Sequence, residues 1–85
     1  MPEISRFLGI VIAMYYREHP PAHFHAKYAE YRITVGVEDG AVEGSFPPRA
    51  LAHVLEWLDL HRDELRADWR LAVQAKPLRR IAPLE

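Results

Sequence analysis

The sequence predicts an α+β protein in which a four-stranded antiparallel meander is followed by two helices and a C-terminal tail. Three patterns support this class: short runs of β-branched and aromatic residues, an Asp-Gly pair typical of a hairpin turn, and apolar residues at helical spacing in the second half. We expect strands at about 9–16, 23–28, 31–38 and 41–44, and helices at about 48–60 and 62–75. Because all strands precede all helices, the helices should cover one face of the sheet.

The first predicted strand is apolar at nearly every position, a pattern typical of a strand that is covered on both faces. Pro20 and Pro21 should lie in the connection that follows, because proline cannot pair in the interior of a sheet. The second and third predicted strands alternate between apolar and polar residues, so that each should bury one face. Asp39 and Gly40 then mark the last hairpin.

The helical half begins at Pro47 and Pro48, since proline is well placed in a first helical turn. If this helix continued without a break, Arg62 would fall in the middle of its apolar stripe. We therefore expect a break near residues 60–62 and a second helix that ends before Pro77. The apolar positions that define the two helices are Leu51, Val54, Leu55, Leu58, Leu65, Trp69, Ala72 and Val73.

Length and composition limit the classes of protein to consider. The 85 residues suffice for a single domain, 1–85, whose small core would gain stability from a partner or from a homodimer. The net charge of −1 argues against extensive binding to a phosphate backbone, and the lack of cysteine excludes disulfides and thiolate metal sites. The apolar run from Leu8 to Met14 is too short to span a membrane and is followed by no signal-peptide cleavage site, which favours a cytoplasmic protein.

The segment HPPAHFHAK, residues 19–27, carries three of the five histidines and leaves three interpretations open. A metal site would use His19, His23 and His25, because two imidazoles one residue apart on a strand can reach one ion. An acid–base site without metal would use His23 and His25 for proton transfer, with Lys27 or Arg49 at a phosphate. In the purely structural interpretation, the prolines shape a turn and the imidazoles pack against neighbouring strands. We expect no bound cofactor.

Six further residues are candidates for binding a partner protein or RNA: Trp57, Arg62, Arg66, Arg70, Arg79 and Arg80. The tryptophan lies to one side of the apolar stripe of the first helix, where it would contact the tail or a partner protein. The first three arginines recur every four residues and would form a stripe that contacts phosphate or pairs with nearby acids. The last two make the tail the most basic stretch of the chain, suited to nucleic acid or to an acidic partner.

Two long stretches resemble the bacterial domain-of-unknown-function family 4160: the opening MPEISRFLGIVIAMYYREHPPAHFHAKYAEY and the closing PPRALAHVLEWLDLHRDELRADWRLAVQAKPLRRIAPLE. The most specific parts are the Pro-Pro/His-Phe-His segment and the LEW…LHRDEL…W…AKP segment. The resemblance implies the toxin-like component of a type II toxin–antitoxin-like pair, whose small cognate partner resembles domain-of-unknown-function family 2442. It implies no catalytic residues. The alternative functions are a metal-independent ribonuclease that uses the His pair and a His-based metal-binding module.

Overall fold

The computed structural model describes residues 2–85, which form a five-stranded antiparallel sheet and one long helix. The strands are β1 (Glu3–Phe7), β2 (Ile10–Ala13), β3 (His23–Tyr28), β4 (Tyr31–Gly36) and β5 (Val42–Ser45), and the helix is α1 (Pro48–Val73). The strands lie in the sheet in the order in which they occur in the chain, β1-β2-β3-β4-β5. The α+β class and the antiparallel meander are therefore confirmed, with one strand more and one helix fewer than predicted.

The strand predicted over 9–16 is shorter in the structure, where β2 covers only Ile10–Ala13, and its hairpin partner β1 was not predicted. Leu8 and Gly9 form the turn between β1 and β2, and both have a positive φ, 51° and 79°. A two-residue turn with this geometry matches the twist of the strands that it joins. Leucine rarely adopts a left-handed conformation, so the sequence gives no turn signal at Leu8. The remaining strands lie within two residues of their predicted bounds.

The prediction of two separate helices is wrong in number, but its reason is visible in the structure. α1 is continuous from 48 to 73 except at His61, where φ of −125° and ψ of 24° are not helical. This kink lies within the predicted break at 60–62. Arg62, directly after it, donates from Nε to the carbonyl oxygen of Val37 over 2.8 Å. The kink thus lets an arginine that would interrupt the apolar stripe reach a backbone acceptor instead.

The core lies between α1 and one face of the sheet. Trp57 and Phe24 are both fully buried, and their ring centroids are 5.7 Å apart. Burying a large apolar side chain contributes about 1.5–3 kcal/mol, so residues of this kind dominate the stability of a domain of this size. The opposite face of the sheet is open over much of its area. Lys27 and Arg32, which lie on it, are exposed, and Val11 is partly exposed.

Residues 74–85, the tail, run back along β1. The backbone N–H of Ile81 donates to the carbonyl oxygen of Ile4 over 2.8 Å, so the tail covers part of the outer edge of β1. Ile81 and Leu84 are buried. Residues 2–85 contain no helix that is both long and apolar enough to cross a membrane.

Candidate functional site

Three side chains converge at the N-terminal end of β3. His23 and His25 belong to β3, and their alternate spacing sends both imidazoles to the same side of the strand. Glu18 comes from the connection between β2 and β3, which contains the cis Pro20–Pro21 bond. Although Glu18 precedes β3 by several residues, the path of the connection brings its side chain close to the two histidines. We call Glu18, His23 and His25 the His–Glu cluster.

One carboxylate oxygen serves both imidazoles of the His–Glu cluster. Oε1 of Glu18 lies 2.8 Å from Nε2 of His25 and 3.2 Å from Nε2 of His23. One ligand atom from each of the three residues lies within 4.8 Å of the others. Donor atoms around a tetrahedral zinc ion lie about 3.4 Å apart, given metal–ligand bonds of ~2.1 Å. The cluster therefore has the chemistry and the approximate dimensions of a two-histidine, one-carboxylate metal site.

The other ring nitrogen of His23 is held by the backbone. Nδ1 of His23 lies 2.9 Å from the carbonyl oxygen of Pro21, which can only accept, so Nδ1 must donate and carry a proton. In a neutral imidazole, Nε2 then has a lone pair, and this lone pair faces the carboxylate of Glu18. Two acceptors face each other at 3.2 Å unless a proton or a metal ion lies between them.

The His–Glu cluster is neither sealed in the core nor fully in water. The side chains of His23, His25 and Glu18 are 21%, 28% and 29% exposed. Aromatic rings border it on two sides: Tyr15 meets His25 edge-on at 4.4 Å between centroids, and Trp69 of α1 lies 5.2 Å from His23. Ligands can therefore reach the cluster while part of its solvent is displaced, which strengthens electrostatic interactions there.

A shallow groove leads to the cluster from the side of His23. It is lined by His19, Pro20, Pro21, His23, Thr34, Gly36, Asp39, Ala41 and Glu43. The predicted metal ligand His19 thus lies in the wall of the groove, whereas Glu18 takes the third place in the His–Glu cluster. Sequence reasoning did not select Glu18, because its approach to β3 depends on the path of the connection between the strands.

The sequence profile of one family, Domain of unknown function (DUF4160), matches residues 9–70. The chain belongs to the DUF4160 family. The matched span includes the whole His–Glu cluster and omits β1 and the tail. Comparison with curated proteins gives no match, and comparison with solved structures gives none either.

In this DUF4160 domain, the two predicted phosphate-binding residues line different depressions. Lys27 lies two residues after His25 on the same face of β3, directly opposite Arg32 of β4. Arg49 instead lines a depression with Leu8 and Tyr28, at the other end of β3. Arg49 is therefore not part of the His–Glu cluster, whereas Arg32 lies beside Lys27.

Trp57 is a core residue of the DUF4160 domain rather than a surface contact. Its side chain is fully buried, and its indole N–H donates to the carbonyl oxygen of Ala82 over 2.9 Å. The prediction that it would contact either the tail or a partner thus resolves in favour of the tail. A partner cannot reach Trp57 while the tail is docked.

The predicted arginine stripe is largely engaged in ion pairs within the chain. Arg66 binds both Glu38, at 2.7 Å, and Asp63, at 2.8 Å, and the bonds from Arg66 hold the pKa of the Glu38 carboxyl below its ordinary value. Arg62 pairs with Asp59 at 3.2 Å. Arg70 is exposed and forms no ion pair within residues 2–85. This part of the helix surface therefore offers little unpaired positive charge to a phosphate.

The two tail arginines have different environments. Arg80 pairs with Glu3 of β1 at 2.9 Å, and the hydrogen bonds from Arg6 and Arg80 lower the pKa of Glu3 to about 2. Arg79 uses its backbone N–H to bind the carboxylate of Asp68 in α1. Both residues thus take part in holding the tail to the body of the domain.

Proposed function

We propose that this protein binds a divalent transition-metal ion through Glu18, His23 and His25 and uses it for metal-assisted hydrolysis. The observation that carries the proposal is the contact between Nε2 of His23 and Oε1 of Glu18. Because Nδ1 donates to Pro21, this contact joins two lone pairs, and a cation between them removes the repulsion. A backbone carbonyl that binds the outer nitrogen of a ligating histidine is a recurrent feature of metal sites.

The ligand set also indicates the kind of metal. Imidazole nitrogen with one carboxylate suits zinc, iron, nickel or copper, whereas calcium and magnesium prefer oxygen ligands alone. Three protein ligands leave at least one coordination position for water or substrate, as catalytic rather than structural sites do. The bound ion would polarise a carbonyl or phosphoryl oxygen. The protein would hold the ion, orient His23 through Pro21 and admit substrate along the groove lined by His19 and Asp39.

Metal content and thermal stability test the proposal. Tag-free protein should contain close to one equivalent of a transition metal, or should take it up after treatment with a chelator. A ligand present at 100 times its dissociation constant stabilises the folded state by about 2.7 kcal/mol, so zinc should raise the melting temperature by roughly 10 °C or more.

The variants Glu18→Gln, His23→Ala and His25→Ala should each weaken metal binding by about tenfold or more, as the loss of a ligand requires. His53→Ala is the matched control, because His53 lies beside Arg49 in the depression away from the cluster. His19→Ala distinguishes the ligand set predicted from the sequence, which includes His19, from the His–Glu cluster. This variant should leave the metal affinity unchanged if Glu18 is the third ligand. The absence of bound metal in the parent protein, together with no thermal shift on adding zinc, nickel, cobalt or manganese, would refute the proposal.

A second candidate function follows if a proton, rather than a metal, lies between His23 and Glu18. His23 would then be an imidazolium held by the carboxylate, and it could protonate a leaving oxygen while His25 accepts a proton. This is the metal-independent ribonuclease mechanism. Cleavage of an RNA oligonucleotide that persists in excess chelator, and that is lost in His23→Ala, would favour it over metal-assisted hydrolysis.

We further propose that the protein acts as the toxin-like member of a type II toxin–antitoxin-like pair with a small partner, as its resemblance to the DUF4160 family suggests. Two of the candidate contact regions are already engaged within the chain, because Trp57 is buried and the tail is docked on β1. The edge of β5 remains, and all four of its residues are exposed. An exposed strand edge can accept a strand from another chain.

Co-expression with the small partner followed by size-exclusion chromatography tests this pairing. A stable complex at micromolar concentration, and growth arrest that the partner relieves, are the expected results. Val42→Pro should weaken the complex, because proline removes an N–H from the free edge. Two chains that elute separately, or growth unaffected by expression of the DUF4160 protein alone, would count against the pairing.

A further inference from the structure

The open face of the sheet contains two cations in an unfavourable arrangement. Lys27 of β3 and Arg32 of β4 are direct cross-strand neighbours, and like charges in this position destabilise a sheet. Both are exposed, and neither forms an ion pair with any residue in the range 2–85. No other cross-strand pair in the described sheet joins two cations. An anion bound between them would turn this repulsion into attraction.

The same two residues border a small depression that reaches the His–Glu cluster. Its walls and floor are formed by Val11, Ala13, Tyr15, His25, Ala26, Lys27, Arg32 and Ile33. The depression thus combines an apolar floor, an aromatic ring and two cationic side chains. A bare phosphate would use only the cations. A nucleotide would use both parts, with its base on the apolar surface and its phosphate on the cations.

We propose that this depression binds single-stranded RNA, with one backbone phosphate held between Lys27 and Arg32. The inference rests on the proposed function, because it assigns the substrate class of the His–Glu cluster. His25 lines the depression and also belongs to the cluster, so a phosphodiester bound here lies next to the proposed catalytic groups. The proposal accommodates the net charge of −1, since it requires two local cations and not a basic surface.

The neighbouring pair on the same face favours RNA over DNA. His25 and Thr34 are direct cross-strand neighbours, two residues from Lys27 and Arg32 along their strands. An imidazole and a hydroxyl can both hydrogen-bond to a ribose 2′-hydroxyl, which is the group that distinguishes RNA from DNA. A single strand is required, because the bases of a duplex are stacked and paired and cannot reach the floor of the depression.

Fluorescence anisotropy with a labelled eight-nucleotide RNA, in excess chelator, tests the inference without any metal. Each phosphate contact with a single strand contributes about 0.7 to the slope of log affinity against log salt, a factor of about five at 0.1 M salt. Because the two cations hold one phosphate, the double variant of Lys27→Ala and Arg32→Ala should lower the affinity about fivefold and the slope by about 0.7, and each single variant should lower both by less.

Matched variants and ligands separate this site from general electrostatic attraction. Lys76→Ala removes an exposed lysine from the tail and should leave binding unchanged, while Lys27→Arg should retain it. Thr34→Val should weaken RNA more than DNA of the same sequence. Equal losses for Lys27→Ala and Lys76→Ala, or equal binding of duplex RNA, of single-stranded DNA or of polyphosphate, would overturn the proposal.

The experiment also distinguishes failure of the RNA inference from failure of the metal proposal. The RNA-binding assay is run in excess chelator, so its outcome does not depend on whether the protein takes up metal. RNA binding that survives in a protein that takes up no metal supports the depression and refutes only the metal. Metal uptake with no effect of Lys27→Ala or Arg32→Ala on RNA affinity refutes only the inference drawn from the depression.

Discussion

Trp57 and Ala82 are joined by a 2.9 Å hydrogen bond from the indole N–H to the backbone carbonyl oxygen. This bond connects the first half of α1 to the tail, in a position where Trp57 is fully buried. We expect Trp57→Phe to lower the free energy of unfolding by about 1–3 kcal/mol, because the replacement keeps most of the apolar volume but leaves the Ala82 oxygen without its donor. Urea titration followed by circular dichroism measures the change.

Trp69→Phe provides the comparison for this prediction. The indole of Trp69 is only partly buried and donates to no described residue. Its replacement should therefore cost clearly less than that of Trp57. Equal losses for the two variants would show that ring volume, and not the bond to the tail, determines the effect.

Asp68 should make the stability of the domain depend on pH. Burial raises the pKa of its carboxyl, against the opposing effects of the hydrogen bond and charge of Arg79. The folded state therefore holds the proton more tightly than the unfolded state. The resulting stabilisation is fully present below the ordinary pKa of 3.8 and is lost as pH rises through the raised value. Asp68→Asn, which stays neutral, should therefore be more stable than the parent at neutral pH.

Two controls accompany the Asp68 prediction. The advantage of Asp68→Asn should disappear below pH 3.8, where the parent carboxyl is also neutral. Asp68→Ala removes the acceptor for the Arg79 N–H and should lower the free energy of unfolding by about 1–3 kcal/mol at either pH. Urea titrations at neutral pH and below pH 3.8 measure the free energy of unfolding of each variant. An Asp68→Asn variant that is less stable than the parent at neutral pH would contradict the raised pKa of Asp68.

Gly44 should tolerate no side chain. Its φ is 109°, and an added Cβ would lie 2.5 Å from the carbonyl oxygen of Arg32 in the paired strand. We expect Gly44→Ala to destabilise the domain by more than about 1 kcal/mol, because both the backbone conformation and the strand pairing are strained. Gly40 also has a positive φ, of 67°, but a Cβ there would approach only Leu58, at 3.8 Å. Gly40→Ala should therefore cost less, and the reverse order in thermal unfolding would contradict the prediction.

Two arginines of the predicted stripe should differ in their effect on stability. Arg62→Ala removes a hydrogen bond to the backbone carbonyl of Val37 and should cost about 0.5–1.5 kcal/mol. Arg70→Ala removes an exposed side chain that has no partner within residues 2–85 and should change stability by less than about 0.5 kcal/mol. Urea titration of both variants measures the difference, and equal effects would show that the bond to Val37 adds nothing.

The parts of the fold that the sequence predicted well depend on local chemistry. The two strands that contain alternating residues, the helix start at the prolines and the kink near Arg62 follow from side-chain patterns within a few residues of each feature. The β1–β2 hairpin was missed because its turn contains Leu8, which gives no turn signal. The docking of the tail was left open because it depends on β1, which was not predicted.

The candidate site likewise has features that follow from local sequence and features that depend on how the chain folds back. That His23 and His25 share a face of one strand follows from their spacing, but the arrival of Glu18 depends on how a connection with two prolines folds back. His19 was predicted as a ligand because of its residue type, whereas the structure brings the adjacent residue, Glu18, to the cluster. The pairing of Lys27 with Arg32 depends on strand register, which the turn at residues 29–30 sets.

The His–Glu cluster takes all its members from eight consecutive residues, 18–25. Closing so short a segment around an ion costs little chain entropy, and the closure needs no contribution from α1. A bound ion would thus clamp the start of β3 to the connection before it even in chains whose helix has separated from the sheet. Zinc should therefore shield amides of residues 18–25 from hydrogen exchange under conditions where those of α1 exchange freely.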